Sequence, residues 1–160
     1  MNIRPAQTSD SSSIWRIIGP TIRAGETYAL DPNMSESDAI AYWLGDDRET
    51  FVAEENGEIF GTYYLRPNQS GGGNHICNCG YMTRSDAGGR GVARAMCQHS
   101  LTYAKARGYR GMQFNLVIST NTRAVDLWKS LGFDVVGRVP QAFLHPAQGY
   151  VDALVMFRAL

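Results

Sequence analysis

"SDAGGRGVARAM", Ser85–Met96, sets three glycines and an arginine directly before a stretch with helical spacing, Val92 and Met96 recurring on one face. A strand-like run ending at Thr83 feeds it, so the pattern predicts strand, glycine-rich turn and helix. Such a turn presents unpaired backbone N–H groups at the positive end of a helix dipole, and glycine lets an anion approach with no Cβ in the way. Phosphate is the anion best suited to that place, and Arg90 adds charge. No Lys-Ser or Lys-Thr pair follows the glycines, which excludes a Walker loop. Arg94 stands where the dinucleotide fingerprint needs its third glycine. Taken alone, the turn is as readily structural as ligand-binding.

Outward from this loop, strand and helix signals alternate. "NIRPA" opens as a short strand. Ser9 or Asp10 caps a helix carrying Ile14, Ile17, Ile18 and Ile22, which Pro20 is expected to bend or break. Ser35 starts a second helix that Gly45 stops. Two strands follow about an Asn56-Gly57 hairpin turn, then a flexible link, "PNQSGGGN". "HICNCGYMT" is a fourth strand, Gly89 to Arg107 a helix, "GMQFNLVI" a fifth strand, and "TNTRAVDLWKSLGF" a helix between an Asn/Thr cap and Gly132. Strands near Asp134–Val139 and Tyr150–Arg158 finish the chain.

The 160 residues fit one domain, 1–160, and the 44% apolar composition with zero net charge is that of a globular protein. "MNIRPAQTSD" lacks the apolar core of a signal peptide and no apolar run is long enough to cross a bilayer, so a cytoplasmic location is expected, with no membrane partner. The absence of any Lys/Arg block argues against nucleic acid as a partner. Cys77, Cys79 and Cys97 are read as reduced, packed thiols. His75, Cys77 and Cys79 lack the fourth ligand and the spacing of a zinc site, so no metal is expected.

About thirty residues beyond the glycine loop lies "NLVISTNTRAVDLWKSLGF". Together the two segments resemble the GCN5-related N-acetyltransferase (GNAT) family, whose motif Arg/Gln-x-x-Gly-x-Gly/Ala maps onto Gly88, Gly89, Arg90, Gly91, Val92 and Ala93. The family's later Asn-x-x-Ala-x-x-Leu-Tyr-x-x-x-Gly-Phe maps onto Asn121, Ala124, Leu127, Trp128, Gly132 and Phe133. The resemblance implies an α/β fold, a mixed and mostly antiparallel sheet of about seven strands flanked by about four helices, and acetyl-CoA as acetyl donor. The family often dimerises, and the aromatic C-terminal strands offer a surface for a homodimer. Two positions depart from the pattern. Gly88 replaces the motif's Arg or Gln, leaving Arg90 or backbone amides to hold the pyrophosphate. Trp128 replaces a tyrosine often assigned to protonate the leaving thiolate, and an indole N–H is too weak an acid for that.

A narrower resemblance, in "QFNLVISTN" and "LWKSLGFDVVGRVP", is to the yeast N-acetyltransferases that act on azetidine-2-carboxylate and other proline analogues. It implies coenzyme contacts for Asn115 and Asn121, a substrate contact for Asn78, and the amine of a small polar molecule as acceptor. A protein N-terminal or lysine acetyltransferase and a non-catalytic acyl-CoA sensor are the alternatives. In the family a bulge in the fourth strand exposes backbone groups, which assigns the oxyanion donor to the amide of Met82 and pantetheine contacts to Met82, Thr83 and Arg84. Tyr81 and Asn78 then border the acceptor. "GETYAL", Gly25–Leu30, falls where the acceptor wall is built, with Glu26 to meet an ammonium or take a proton through water and Tyr28 to pack on the substrate. Each residue has a plainer reading: Asn78 satisfying backbone, Asn121 capping a helix, Trp128 filling core, and the 25–30 loop solvated.

Overall fold

A computed structural model describes residues 1–160. In chain order it contains β1 (Asn2–Pro5), α1 (Ser11–Ala24), α2 (Glu36–Trp43), β2 (Glu49–Glu55), β3 (Glu58–Pro67), β4 (Ile76–Thr83), α3 (Val92–Ala106), β5 (Gly111–Ile118), α4 (Thr122–Ser130), β6 (Asp134–His145) and β7 (Gly149–Ala159). The strands form one seven-stranded sheet in the order β1-β2-β3-β4-β5-β7-β6. Every neighbouring pair is antiparallel except β4 and β5. The expected mixed, mostly antiparallel sheet with four helices is what the chain builds.

Strand alternation sorts the side chains onto two faces. On one, Val52, Tyr64 and Met82 pack against Ile14, Ile17, Ile18 and Ile22 of α1 and against Ala39 and Trp43 of α2. On the other, Tyr63, Leu65, Cys77 and Cys79 pack against Val92, Met96, Cys97 and Leu101 of α3 and Val125 and Trp128 of α4. Burying these apolar faces supplies most of the folding free energy, at about 25 cal/mol per Å². The thiols behave as core: burial pushes Cys79 well above the ordinary thiol range and Cys97 up to about 12. No three metal-ligating side chains cluster anywhere, and no helix is long and apolar enough to cross a membrane.

Several local expectations change. Helix α1 runs through Pro20 to Ala24, because its four isoleucines are all at most 2% exposed and their burial outweighs one lost N–H bond, about 3 kcal/mol. Asp10 makes no side-chain cap on α1: its carboxylate accepts from Gln7 N–H and from Arg4, fixing a 3-10 turn at Thr8–Asp10. Helix α3 starts at Val92, not Gly89, since Gly89 and Gly91 adopt φ of 79° and 71°, which no α-helix contains. The link after β3 contains a short 3-10 turn, Gly71–Gly73, and β6 extends to His145.

Candidate active site

Strands β4 and β5 pair only at Ile76 with Gly111 and Cys77 with Met112, then diverge. The next β5 carbonyl, that of Gln113, accepts from Asn78 Nδ2 at 2.9 Å, so a side chain stands in for the next ladder rung. Beyond it a cleft of about 460 Å³ opens between the strands. That volume lies within the ~300–1,000 Å³ range of small-ligand sites. Strand β5 contributes its own irregularity: between Phe114 opposite Met156 and Val117 opposite Leu154 it carries one extra residue, so Asn115 and Leu116 bulge toward the opening.

The direction of the β4 amides decides which can act. Met82 lies opposite Thr62 in an unbroken β3–β4 register, and two residues on Arg84 N–H donates to Phe60 O at 2.8 Å. Alternation therefore turns the amides of Met82 and Arg84 toward β3. Tyr28 Oη donates to Tyr81 O at 2.9 Å, and the trans peptide sends the Met82 N–H the opposite way. The Met82 amide is thus not a cleft-facing donor. The amides turned to the gap belong to Cys79, Tyr81 and Thr83, and what frees them is the divergence of β5, with the bulge on β5 and none on β4.

On the face of α1 and α2, Asn78, Gly80 and Met82 of β4 lie beside Arg66, Tyr64 and Thr62 of β3, each directly opposite in register. Gly80 makes room here: a Cβ would sit 2.7 Å from the Tyr64 ring, which packs against that backbone. Tyr28 and Tyr42 complete the wall, with Trp43 edge-on to Tyr64 at 5.0 Å and to Tyr28 at 6.2 Å. Arg48, its side chain only 6% exposed, lies between the Tyr42 and Tyr64 rings at 4.5 and 4.7 Å from their centroids. Its Nε and Nη2 bond both oxygens of Asp47, and Nη1 is buried without a partner. Asp47 also pairs with Arg66 at 3.2 Å. No carboxylate and no imidazole lines the cleft. Burial raises the Tyr28, Tyr64 and Cys79 groups, so apart from the cations Arg66 and Arg123 the lining offers neutral hydrogen-bonding groups, and no base or thiolate.

Across the gap, Asn121 caps α4, its Oδ1 accepting from Ala124 N–H at 3.3 Å. Asn115 Nδ2 donates to Asn68 Oδ1 at 2.7 Å, and Trp128 packs on Tyr81 and Phe114 at 5.1 and 5.2 Å. At the cleft's end the glycine loop meets α3. The first α3 amide bonded within the helix is that of Ala95, to Gly91 O, which leaves the N–H groups of Val92, Ala93 and Arg94 without helical partners. A Cβ at Gly88, Gly89 or Gly91 would meet nothing within 4 Å. An open cradle rimmed by free donors, with no acidic residue in the first turn of α3, suits a diphosphate.

Of the residues read from sequence, Asn78, Met82, Thr83, Ala93, Asn115, Asn121, Ala124, Trp128, Tyr28 and Tyr81 line this single cleft. Others do not. Glu26 is exposed and does not line the cleft, so its side chain makes no direct wall for the acceptor. Arg84 lies over Phe60 and pairs with Asp86 and Glu58, and Arg90 lies over Phe60 and pairs with Glu55, so both guanidinium groups are engaged at the β2–β3 hairpin. Gly88, Gly89 and Gly91 stand exposed in the loop and the Val92 side chain is core, leaving only backbone for an anion. Tyr81 leaves β4 on the opposite face from Asn78, with its hydroxyl 2.6 Å from Ser100 Oγ, which corrects its placement beside the acceptor. Missed altogether were Tyr42, Tyr64 and Arg66. In "GTYYLR" the i, i+2 spacing of Tyr64 and Arg66 marks one face, and pairing β3 with β4 would have placed that face beside Asn78.

Residues 19–133 match the model of the Acetyltransferase (GNAT) family. N-acetyltransferase aca1 of Schizosaccharomyces pombe is 27% identical over 161 residues, covering 90% of this chain and 77% of that protein. A GCN5-related N-acetyltransferase structure from Kribbella flavida superposes with a TM-score of 0.94 at 42% identity over 99% of this chain and 97% of that one. The fold also matches yncA from Salmonella typhimurium, solved with acetyl-CoA, at a TM-score of 0.88 and 22% identity over 100% and 94% of the two chains.

Proposed function

Because this chain belongs to the Acetyltransferase (GNAT) family and is an N-acetyltransferase using acetyl-CoA, we propose that it acetylates the amine of a small polar molecule, an amino acid or an analogue of the azetidine-2-carboxylate kind. The observation that carries the acceptor class is the tyrosine wall on the α1–α2 face. The Tyr28 bond to Tyr81 O holds the 25–30 loop against the sheet beside the cleft, which supports a small acceptor.

Acetyl-CoA supplies a thioester whose acetyl carbon bonds the amine nitrogen as the C–S bond breaks, the nitrogen's proton leaving with the sulfur. The amides of Val92 and Ala93 and the open glycines hold the diphosphate. Running back from that loop along β4, Thr83 N–H meets the donor's arm first and Tyr81 N–H lies deeper, so Tyr81 N–H takes the oxyanion role. Such a donor is worth about 3 kcal/mol of barrier. Asn121 and Asn115 border the arm from the β5–α4 side. On the other face Asn78, held by Gln113 O, orients the acceptor.

No side chain in the cleft takes the proton as a base. An amine of pKa ~8 is about one-tenth neutral at pH 7, whereas one near 10.4 is neutral at roughly 0.04%, so the neutral fraction governs the rate. A site with arginine and without carboxylate also favours neutral amine over ammonium. The exposed apolar residues of edge strand β6, Val135, Val136, Val139 and Leu144, with Tyr150 on β7, suit a homodimer, and a cytoplasmic location accords with its reduced thiols.

Thiol release from acetyl-CoA is the test, with a panel of amino acids, cyclic imino acids, simple amines and a peptide. Turnover of small amines with kcat/KM rising with pH toward each acceptor's own pKa is expected. Peptide turnover alone would establish the protein-acetylating alternative, and acetyl-CoA binding with no turnover would establish a sensor.

A further inference from the structure

Resting on that reading, we propose that Arg66 is the specificity-determining residue of the acceptor site, and that it selects amines carrying a carboxylate close to the reacting nitrogen. Arg66 and Asn78 are direct cross-strand partners, so their side chains leave the same face of the sheet side by side, and both line the cleft. One arginine is therefore rooted directly opposite the residue whose amide orients the acceptor, on the same face of the sheet.

The local charge count favours an anion. Asp47 is shared by Arg48, at 2.7 Å, and Arg66, at 3.2 Å, so two guanidinium groups face one carboxylate and a positive charge is left over. Neither Asp nor Glu lines the cleft to cancel it. Arg48 is fixed behind the Tyr42 and Tyr64 rings with Nη1 unpaired, whereas the Arg66 side chain is one-third exposed and makes a single hydrogen bond, through Nη1, to Asp47. Its remaining N–H groups are the forked donors that match a carboxylate. Arg123, the other cation along the cleft, sits in the first turn of α4 between Asn121 and Ala124, on the donor's side of the gap. A diamine would meet like charge at Arg66, while a 2-amino or 2-imino acid places its carboxylate on Arg66 and its nitrogen over Asn78 and the gap.

The assay compares each amino or imino acid with its own carboxamide, following thiol release with acetyl-CoA. Wild-type kcat/KM for the acid is expected to exceed that for the amide at least tenfold. Arg66→Gln should raise the acceptor's KM ten- to hundredfold and bring the acid-to-amide ratio near one, with the acetyl-CoA KM within twofold. Arg66→Lys should recover part of the ratio. A wild-type ratio near one, an unchanged ratio in Arg66→Gln, or turnover confined to amines lacking a carboxylate would overturn the assignment. Should Arg66→Gln melt far below wild type, the wild-type ratio and Arg66→Lys still decide. Failure of the acetyl-transfer reading is separate: it would show as no thiol release with any amine together with no melting shift at millimolar acetyl-CoA.

Discussion

Gly80→Ala puts one methyl where the Tyr64 ring now lies. The added Cβ would stand 2.7 Å from Cε1 and Cζ and 2.8 Å from the hydroxyl oxygen, roughly 0.7 Å inside the distance at which ordinary contact begins. Tyr64 has little room to yield, because Trp43 meets it edge-on at 5.0 Å and the Arg48 guanidinium stacks on it at 4.7 Å. Overpacking of this kind costs about 1–3 kcal/mol. At about 2–4 °C per kcal/mol for a chain of this size, the melting temperature should fall by several degrees. Since the ring forms the acceptor wall and the donor runs along the strand edge, the acceptor's KM should rise about tenfold while the acetyl-CoA KM stays within twofold. Urea unfolding and two-substrate kinetics on one preparation measure both. Stability within 0.5 kcal/mol and an acceptor KM within twofold would refute the placement of Tyr64. Equal damage to both KM values would refute the division of the cleft into two sides.

Asn121→Ala should cost about 1 kcal/mol as a lost helix cap and raise the acetyl-CoA KM, whereas Asn78→Ala should spare acetyl-CoA affinity and reduce acceptor turnover, and two-substrate kinetics separate them. His99 provides a pH signature. Burial lowers its pKa, and its Nδ1 accepts from Tyr63 Oη at 2.7 Å when the ring is neutral. A depressed folded pKa means the unfolded chain binds the proton more readily. This contribution is therefore complete above the unfolded value near 6.5 and is lost as pH falls from there through the folded pKa. His99→Gln should flatten stability between pH 7 and 5, as chemical denaturation at stepped pH would reveal, and an unchanged slope would exclude His99 as its source.

What could be read in the sequence was the local chemistry. The Asn56-Gly57 turn sits in its two-residue hairpin with φ of 53° and 79°. Ser35 caps α2 through Asp38 N–H, and Asn121 caps α4. Ala93, just past the glycine loop, and Asn121, beyond α3 and β5, line one cleft. What could not be read depends on pairing. Whether Met82 or Tyr81 offers an amide is a matter of register with β3, and one residue of slip exchanges the two. Arg66 and Asn78 are twelve residues apart in sequence and adjacent only once β3 and β4 align. Pro20 misleads because a local penalty is outweighed by four buried isoleucines that a helix-breaking rule does not weigh.

The divergence of β4 from β5 has a further consequence for how this strand breathes. Along Asn78–Thr83 the even-numbered amides are held by β3, while the odd-numbered ones point into the gap where β5 has turned away. Hydrogen exchange would read one continuous strand as two interleaved populations, Asn78, Gly80 and Met82 slow and Cys79, Tyr81 and Thr83 fast, and a ligand bonded along that edge would slow the second set alone, completing the sheet as an eighth strand would.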